Sequence, residues 1–164
     1  MMKYLKLLRV EQWVKNLFVF LPLFFSGNIT HFDLLLKSVF AFIVFSLVAS
    51  SIYIINDYSD IESDRKHPEK KNRPLASGAI SKATAKIILI ILLALIGVAV
   101  FFAKDFLLDN LWKFGTIIGF YFVMNLAYTF KLKHVAIVDV MIISIGFVLR
   151  VLAGGYATGI LISQ

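Results

Sequence analysis

From Leu34 to Ile55 the chain runs for 22 residues with a single formal charge, Lys37. A hydrocarbon core about 30 Å thick takes roughly 20 apolar residues of helix to cross. Inside that core every backbone polar group must be satisfied within the protein, so a lone apolar segment has to be helical. Three more long apolar segments follow, Ile87–Ala103, Phe114–Phe130 and Val135–Ile162. A shorter run, Leu17–Phe25, continues an amphipathic N-terminus and reads as a first helix kinked at Pro22. The expected fold class is all-α: a polytopic transmembrane helical bundle of about five spans, forming one membrane domain over residues 1–164.

Composition agrees. Hydrophobic residues make up 60% of the 164 and charged residues only 16%, where soluble domains carry about 25% charged. Cysteine is absent, which excludes disulfides, thiolate metal sites and cysteine nucleophiles. The net charge of +7 would suit a nucleic-acid partner, but the positions of the basic residues point elsewhere. If all five spans cross, thirteen of the seventeen fall on one side, in segments 1–16, 56–86 and 131–134, against Lys37, Lys104 and Lys113 on the other. Arg150 lies inside the last span. Basic loops stay in the cytoplasm, so the N-terminus and the 56–86 segment are expected on the cytoplasmic face of the cell's inner or plasma membrane. Nucleic acid is not an expected partner.

The densest polar run follows the second span: Asn56-Asp57-Tyr58-Ser59-Asp60-Ile61-Glu62-Ser63-Asp64. On a helix continuing from Ile55, Asn56, Asp57, Asp60 and Asp64 share one face. Three carboxylates on one stripe repel one another, and ionisable groups at a membrane mouth are usually functional. Mg²⁺ takes oxygen ligands, characteristically one or two carboxylates plus substrate phosphates. The stripe therefore reads as a port for a Mg²⁺–diphosphate complex, with Asp57, Asp60 and Asp64 catalytic and Asn56 a further metal ligand. The loop Arg65–Gly78 is basic and punctuated by proline and glycine, suited to folding over an anion, and Arg73 is its expected phosphate contact. His67 reads as a solvent-exposed loop residue. Lys15 and Asn16 stand at the cytoplasmic mouth of the first helix, with Tyr128 and Lys131 at the matching end of the fourth, all expected to bind substrate. Trp13 reads as an interfacial anchor. Asp139 lies one turn inside the fifth span, near the site; Arg150, eleven residues on, is about 16 Å deeper along a helix and is expected to pair with a helix outside this chain. Nothing in the sequence suggests a Ser-His-Asp or Cys-His constellation.

These motifs resemble the UbiA superfamily of intramembrane prenyltransferases, whose first aspartate-rich motif Asn56-Asp57-x-x-Asp60-x-x-x-Asp64 with Arg73-Pro74-Leu75-Ala76-Ser77-Gly78 is similar to. Glu11-Gln12-Trp13-Val14-Lys15-Asn16 with Phe20-Leu21-Pro22-Leu23, His67-Pro68-Glu69-Lys70, Tyr128-Thr129-Phe130-Lys131-Leu132-Lys133, Asp139 and Gly146–Gly155 resemble its decaprenyl-phosphate phosphoribosyltransferase branch. That resemblance implies transfer of 5-phosphoribose from phosphoribosyl diphosphate to a polyprenyl phosphate, with Mg²⁺ as cofactor, toward cell-envelope sugars. It also implies a bundle of about nine helices with a cytoplasmic active site. A second aspartate-rich motif belongs to the superfamily's C-terminal half, and no carboxylate follows Asp139 here. The chain thus resembles the N-terminal half, and transfer is expected to need a C-terminal half or a companion subunit. Two other readings share the motif: an aromatic prenyltransferase using a prenyl diphosphate, and a non-catalytic membrane subunit.

Overall fold

The computed structural model describes residues 2–107, 110–132 and 136–160, and every regular element among them is helical. Lys133 of the expected basic link and the end of the fifth expected span lie outside the described residues. Helix α1 (Met2–Leu8) is followed by a 3₁₀ segment (Val10–Phe20) and a short α2 (Leu21–Phe25). The long α3 (Phe32–Ser59) leads through Asp60 into α4 (Ile61–Lys66). After the loop come α5 (Lys82–Phe102), the single turn α6 (Lys104–Leu107), α7 (Leu111–Ala127) and α8 (Ala136–Thr158). The chain is a membrane protein. Helix α3, α5 and the stretch Ile137–Thr158 of α8 are each long and apolar enough to cross a bilayer. Helix α7 has 17 α-helical residues and continues as a π-helical turn, Tyr128–Leu132.

The expected first span takes a different form. Arg9 adopts the left-handed conformation (φ 48°, ψ 49°) and ends α1, and the next eleven residues wind as a 3₁₀ helix. Pro22 does not kink a helix; it sits in the first turn of α2, where its missing N–H costs nothing. A 3₁₀ helix rises about 2.0 Å per residue against 1.5 Å in an α-helix. Val10–Phe25 therefore reaches roughly 30 Å, the thickness of the hydrocarbon core, with fewer residues than an α-helix needs.

In a 3₁₀ helix residues three apart share a face, and Trp13, Asn16 and Val19 form that face against α3. The indole N–H of Trp13 donates to Ser50 Oγ at 3.0 Å, and Asn16 Nδ2 donates to Ser46 Oγ at 2.9 Å. Ser50 Oγ in turn donates to the Leu8 carbonyl at 2.7 Å. Trp13 is thus half-buried and pinned to α3. On its other side the 3₁₀ segment touches α8 at Gly154, where an added Cβ would lie 1.8 Å from the Val19 carbonyl oxygen. Small residues permit such backbone approach between membrane helices.

Helix α3 is central. It packs against α1, the 3₁₀ segment, α5, α7 and α8, and buries small side chains, Ala41, Ser46, Ala49, Ser50 and Ser51, between larger ones. One apolar cluster joins Phe45, Val48, Phe114, Ile118, Leu149 and Ala153. A second, at the polar end, joins Leu7, Ile54, Ile61, Leu75, Ile80 and Ala85, and so fastens the loop beneath α1 and α5. Helix α5 is mostly exposed, burying only Ala85 and Leu92.

Candidate functional site

At the polar end of α3 the acidic stripe is divided rather than continuous. Helix α3 stops at Ser59, and Asp60 (φ −100°, ψ 6°) turns the chain into α4. Asp57 is only 2% exposed and Asp64 3%, depths at which a lone carboxylate would be costly. Both are ion-paired. Arg9 Nη2 donates to Asp57 Oδ1 at 2.6 Å, and Arg73 Nη1 reaches the same oxygen at 3.2 Å and Asp64 Oδ2 at 2.8 Å. Two guanidiniums thus balance two carboxylates, and the mutual repulsion that spacing alone suggested is cancelled. The Arg9 guanidinium also lies 4.6 Å from the Tyr53 ring centroid, a favourable cation–π position.

The loop is folded to serve this cluster. Arg65 Nε donates to the Ala76 carbonyl at 3.1 Å, and Ser77 Oγ to the Arg73 carbonyl at 2.8 Å. Gly78 takes a left-handed turn (φ 77°), a conformation glycine adopts without a Cβ clash. His67, exposed, accepts weakly from the Glu69 and Lys70 amides through Nδ1 at 3.2 and 3.3 Å. A polar cavity of about 360 Å³ opens here, lined among others by Lys6, Arg9, Asp57, Asn72 and Arg73.

A second cavity, about 180 Å³, lies between the 3₁₀ segment, α3, α7 and α8. Lys15, Tyr53, Tyr121, Tyr128, Asp139 and Arg150 are among its polar lining. Tyr53 and Asp57 are one turn apart on α3, so that helix is a wall common to both cavities. Tyr128 and Asp139 both line the second cavity, and Asp139 Oδ1 is buried with no hydrogen-bond partner among the described residues.

The expected site residues therefore separate. Asp57, Asp64 and Arg73 come together as one ion-paired cluster, so Arg73 faces carboxylates of its own chain. Asn56 and Asp60 are half-buried beside it, and Asp60 accepts from Ser59 Oγ at 3.3 Å. Lys15, Tyr128 and Asp139 meet in the second cavity. Lys131 is exposed at the end of the π-helical turn. Asn16 is not at the mouth: it is 1% exposed, bonded to Ser46 on one side and accepting from Arg150 Nε at 2.8 Å on the other. Arg150 in turn has neutral partners within this chain, Asn16 and the Tyr121 hydroxyl at 3.3 Å. The sequence reading passed over Arg9, counting it only among topology charges, because its carboxylate lies 48 residues away. Tyr53, Tyr121 and Asn125 were passed over because within apolar spans they look like ordinary core.

The donor set suits a hard divalent cation in its chemistry: Asn56, Asp57, Asp60 and Asp64 offer only oxygen. In the conformation described, the arginines occupy Oδ1 of Asp57 and Oδ2 of Asp64, and no three acidic or histidine side chains among the described residues form a ready-made metal cage. That pattern fits an ion bound jointly with a substrate's phosphates, the usual habit of Mg²⁺.

Comparison with known proteins gives a consistent assignment. Residues 16–163 match the UbiA prenyltransferase family. The chain is 39% identical over 163 residues to the decaprenyl-phosphate phosphoribosyltransferase of Mycobacterium tuberculosis, covering 97% of this chain and 52% of that protein. It is 41% identical over 164 residues to the protein of that name from Mycolicibacterium smegmatis, with 98% and 49% covered. It is also 32% identical over 160 residues to the nodulation protein NoeC of Azorhizobium caulinodans, with 97% and 49% covered. The chain spans about half the length of these relatives.

Proposed function

The chain belongs to the UbiA prenyltransferase family, and on that premise we propose that it supports transfer of 5-phosphoribose from phosphoribosyl diphosphate to a polyprenyl phosphate such as decaprenyl phosphate. The observation that carries this reading is the balanced Arg9–Asp57–Arg73–Asp64 cluster, set between two cavities that both contain cationic side chains. The relatives named above favour phosphoribose over a prenyl group as the moiety transferred.

In the proposed reaction the bond between the anomeric carbon and the diphosphate oxygen breaks, and a phosphate oxygen of the lipid forms the new bond to that carbon. The lipid phosphate is already anionic, so no general base is required. Lys6, Arg9 and Arg73 line the polar cavity and receive the negative charge that gathers on the departing diphosphate; such preorganised electrostatic stabilisation is commonly the largest catalytic contribution. Asn56, Asp60 and the carboxylate oxygens of Asp57 and Asp64 not taken by arginine would hold Mg²⁺, which when bound neutralises diphosphate charge. Tyr128, Asp139 and Lys15 orient substrate in the second cavity, which they line, and Lys131, exposed at the end of the π-helical turn, adds positive charge. The site faces the cytoplasm, where the basic loops lie. The complete site includes further helices of the kind its longer relatives carry, in the same polypeptide or a companion. The product would feed cell-envelope polysaccharide synthesis.

The test is a pair of reactions on membranes containing the chain, with the C-terminal half of the M. smegmatis relative co-expressed as the companion. With Mg²⁺, labelled phosphoribosyl diphosphate and decaprenyl phosphate, label should pass into the lipid fraction. With a prenyl diphosphate and an aromatic acid, no prenylated product should form. The opposite pattern would establish the aromatic prenyltransferase reading instead.

A further inference from the structure

Arg150 stands in the middle of α8 and is only 7% exposed. A cation at that depth ordinarily has an anionic partner, yet among the described residues no carboxylate forms an ion pair with it. Its contacts are neutral: Nε donates to Asn16 Oδ1, Nη2 to the Tyr121 hydroxyl, and ring centroids of Phe45, Tyr121 and Phe147 lie 5.2, 5.4 and 5.3 Å from the guanidinium carbon. These contacts orient the guanidinium without neutralising it. Among the described residues no hydrogen bond falls on Nη1, the nitrogen beside Gly146.

Gly146 is part of the arrangement. An added Cβ there would lie 3.0 Å from Arg150 Nη1, so the missing side chain lets the guanidinium lie back along α8 toward Asp139. Arg150 and Lys15 line the same 180 Å³ cavity. Asp139, eleven residues earlier and about 16 Å away along the helix, occupies the other end of α8's contribution to it. Two cations, one held rigidly by neutral partners, thus share a cavity inside an apolar bundle.

We propose that Arg150 and Lys15 form a binding site for a phosphomonoester dianion, with Asn16 and Tyr121 as positioning residues that hold the guanidinium. The planar fork of arginine matches two phosphate oxygens at once, and lysine adds a mobile point charge. Both substrates of the proposed reaction carry a phosphomonoester, the lipid at its head and the donor at its 5-position. The proposal rests on that reaction for the choice of probes, and its chemistry requires only the phosphate.

The experiment measures binding to the purified chain in detergent with farnesyl phosphate, farnesol, ribose 5-phosphate and ribose. Wild type should bind one of the two phosphates at least tenfold more tightly than the matched probe without phosphate, farnesol or ribose. If farnesyl phosphate shows that preference the site takes the lipid head; if ribose 5-phosphate shows it, the donor. Arg150→Gln should abolish the preference, Arg150→Lys should restore part of it, and Lys15→Gln, at an exposed position, should weaken it severalfold. Equal binding with and without phosphate, or a preference unchanged in both Arg150→Gln and Lys15→Gln, would overturn the proposal. A phosphate preference that depends on Arg150, together with no phosphoribosyl transfer in the membranes carrying the co-expressed companion, would retain the site and remove the reaction. Transfer without that preference would do the reverse.

Discussion

Arg9 and Asp57, 48 residues apart, meet at 2.6 Å, and the oxygen they share also accepts from Arg73 at 3.2 Å. One carboxylate therefore ties the N-terminal segment, the central helix and the loop together. Arg9 reaches it from a left-handed backbone conformation, one that non-glycine residues hold only when the surroundings enforce it.

Asp57→Asn should accordingly destabilise the fold. Removing one side of a buried charge cluster costs about 3–5 kcal/mol, because the remaining charges stay buried without compensation. Arg9→Ala should cost less than Arg73→Ala, since Arg73 serves Asp57 and Asp64 together. Thermal unfolding in detergent measures both effects. Melting curves that coincide with wild type would show that the cluster carries no structural weight.

Gly154 sets how closely the 3₁₀ segment approaches α8. Gly154→Ala would place a methyl 1.8 Å from the Val19 carbonyl oxygen, forcing the two apart at about 1–3 kcal/mol or more. Gly115→Ala, with nothing within 4 Å of the added carbon, should be neutral or slightly stabilising. Equal melting temperatures for the two variants would contradict the packing.

Orientation can be read directly because the chain has no cysteine. Single substitutions Ser77→Cys, in the basic loop, and Ser26→Cys, at the other end of the N-terminal segment, should differ toward an impermeant thiol reagent in intact cells. Ser26→Cys should label and Ser77→Cys should not. Labelling of Ser77→Cys from outside would place the proposed site on the wrong side of the membrane.

The long helices were legible because twenty apolar residues have few other options in a bilayer: α3, α5 and α8 lie where hydropathy placed them. The N-terminal segment was not. Its apolar run is too short for an α-helical crossing, and only the burial of Trp13, Asn16 and Val19 at three-residue spacing reveals the 3₁₀ winding. The acidic motif was visible as a spacing, whereas its division was not, because Asp57 and Asp64 are distinguished from Asp60 by arginines 48 and 9 residues distant. Arg150 stood out as an intramembrane charge, but its partners Asn16 and Tyr121 lie 134 and 29 residues away, and nothing local points to them.

The most direct test of the account is the rate of Mg²⁺-dependent phosphoribosyl transfer by Asp60→Asn, set beside its melting temperature. Asp60 lies half-exposed at the turn between α3 and α4, beside the ion pairs that Arg9 and Arg73 make with Asp57 and Asp64. The substitution should lower transfer by about 10²–10³-fold, the usual scale for losing one electrostatic group at a reacting centre. The variant should still unfold cooperatively in detergent, because the side chain lies outside the apolar core. Transfer at the wild-type rate in a folded Asp60→Asn chain would contradict the account.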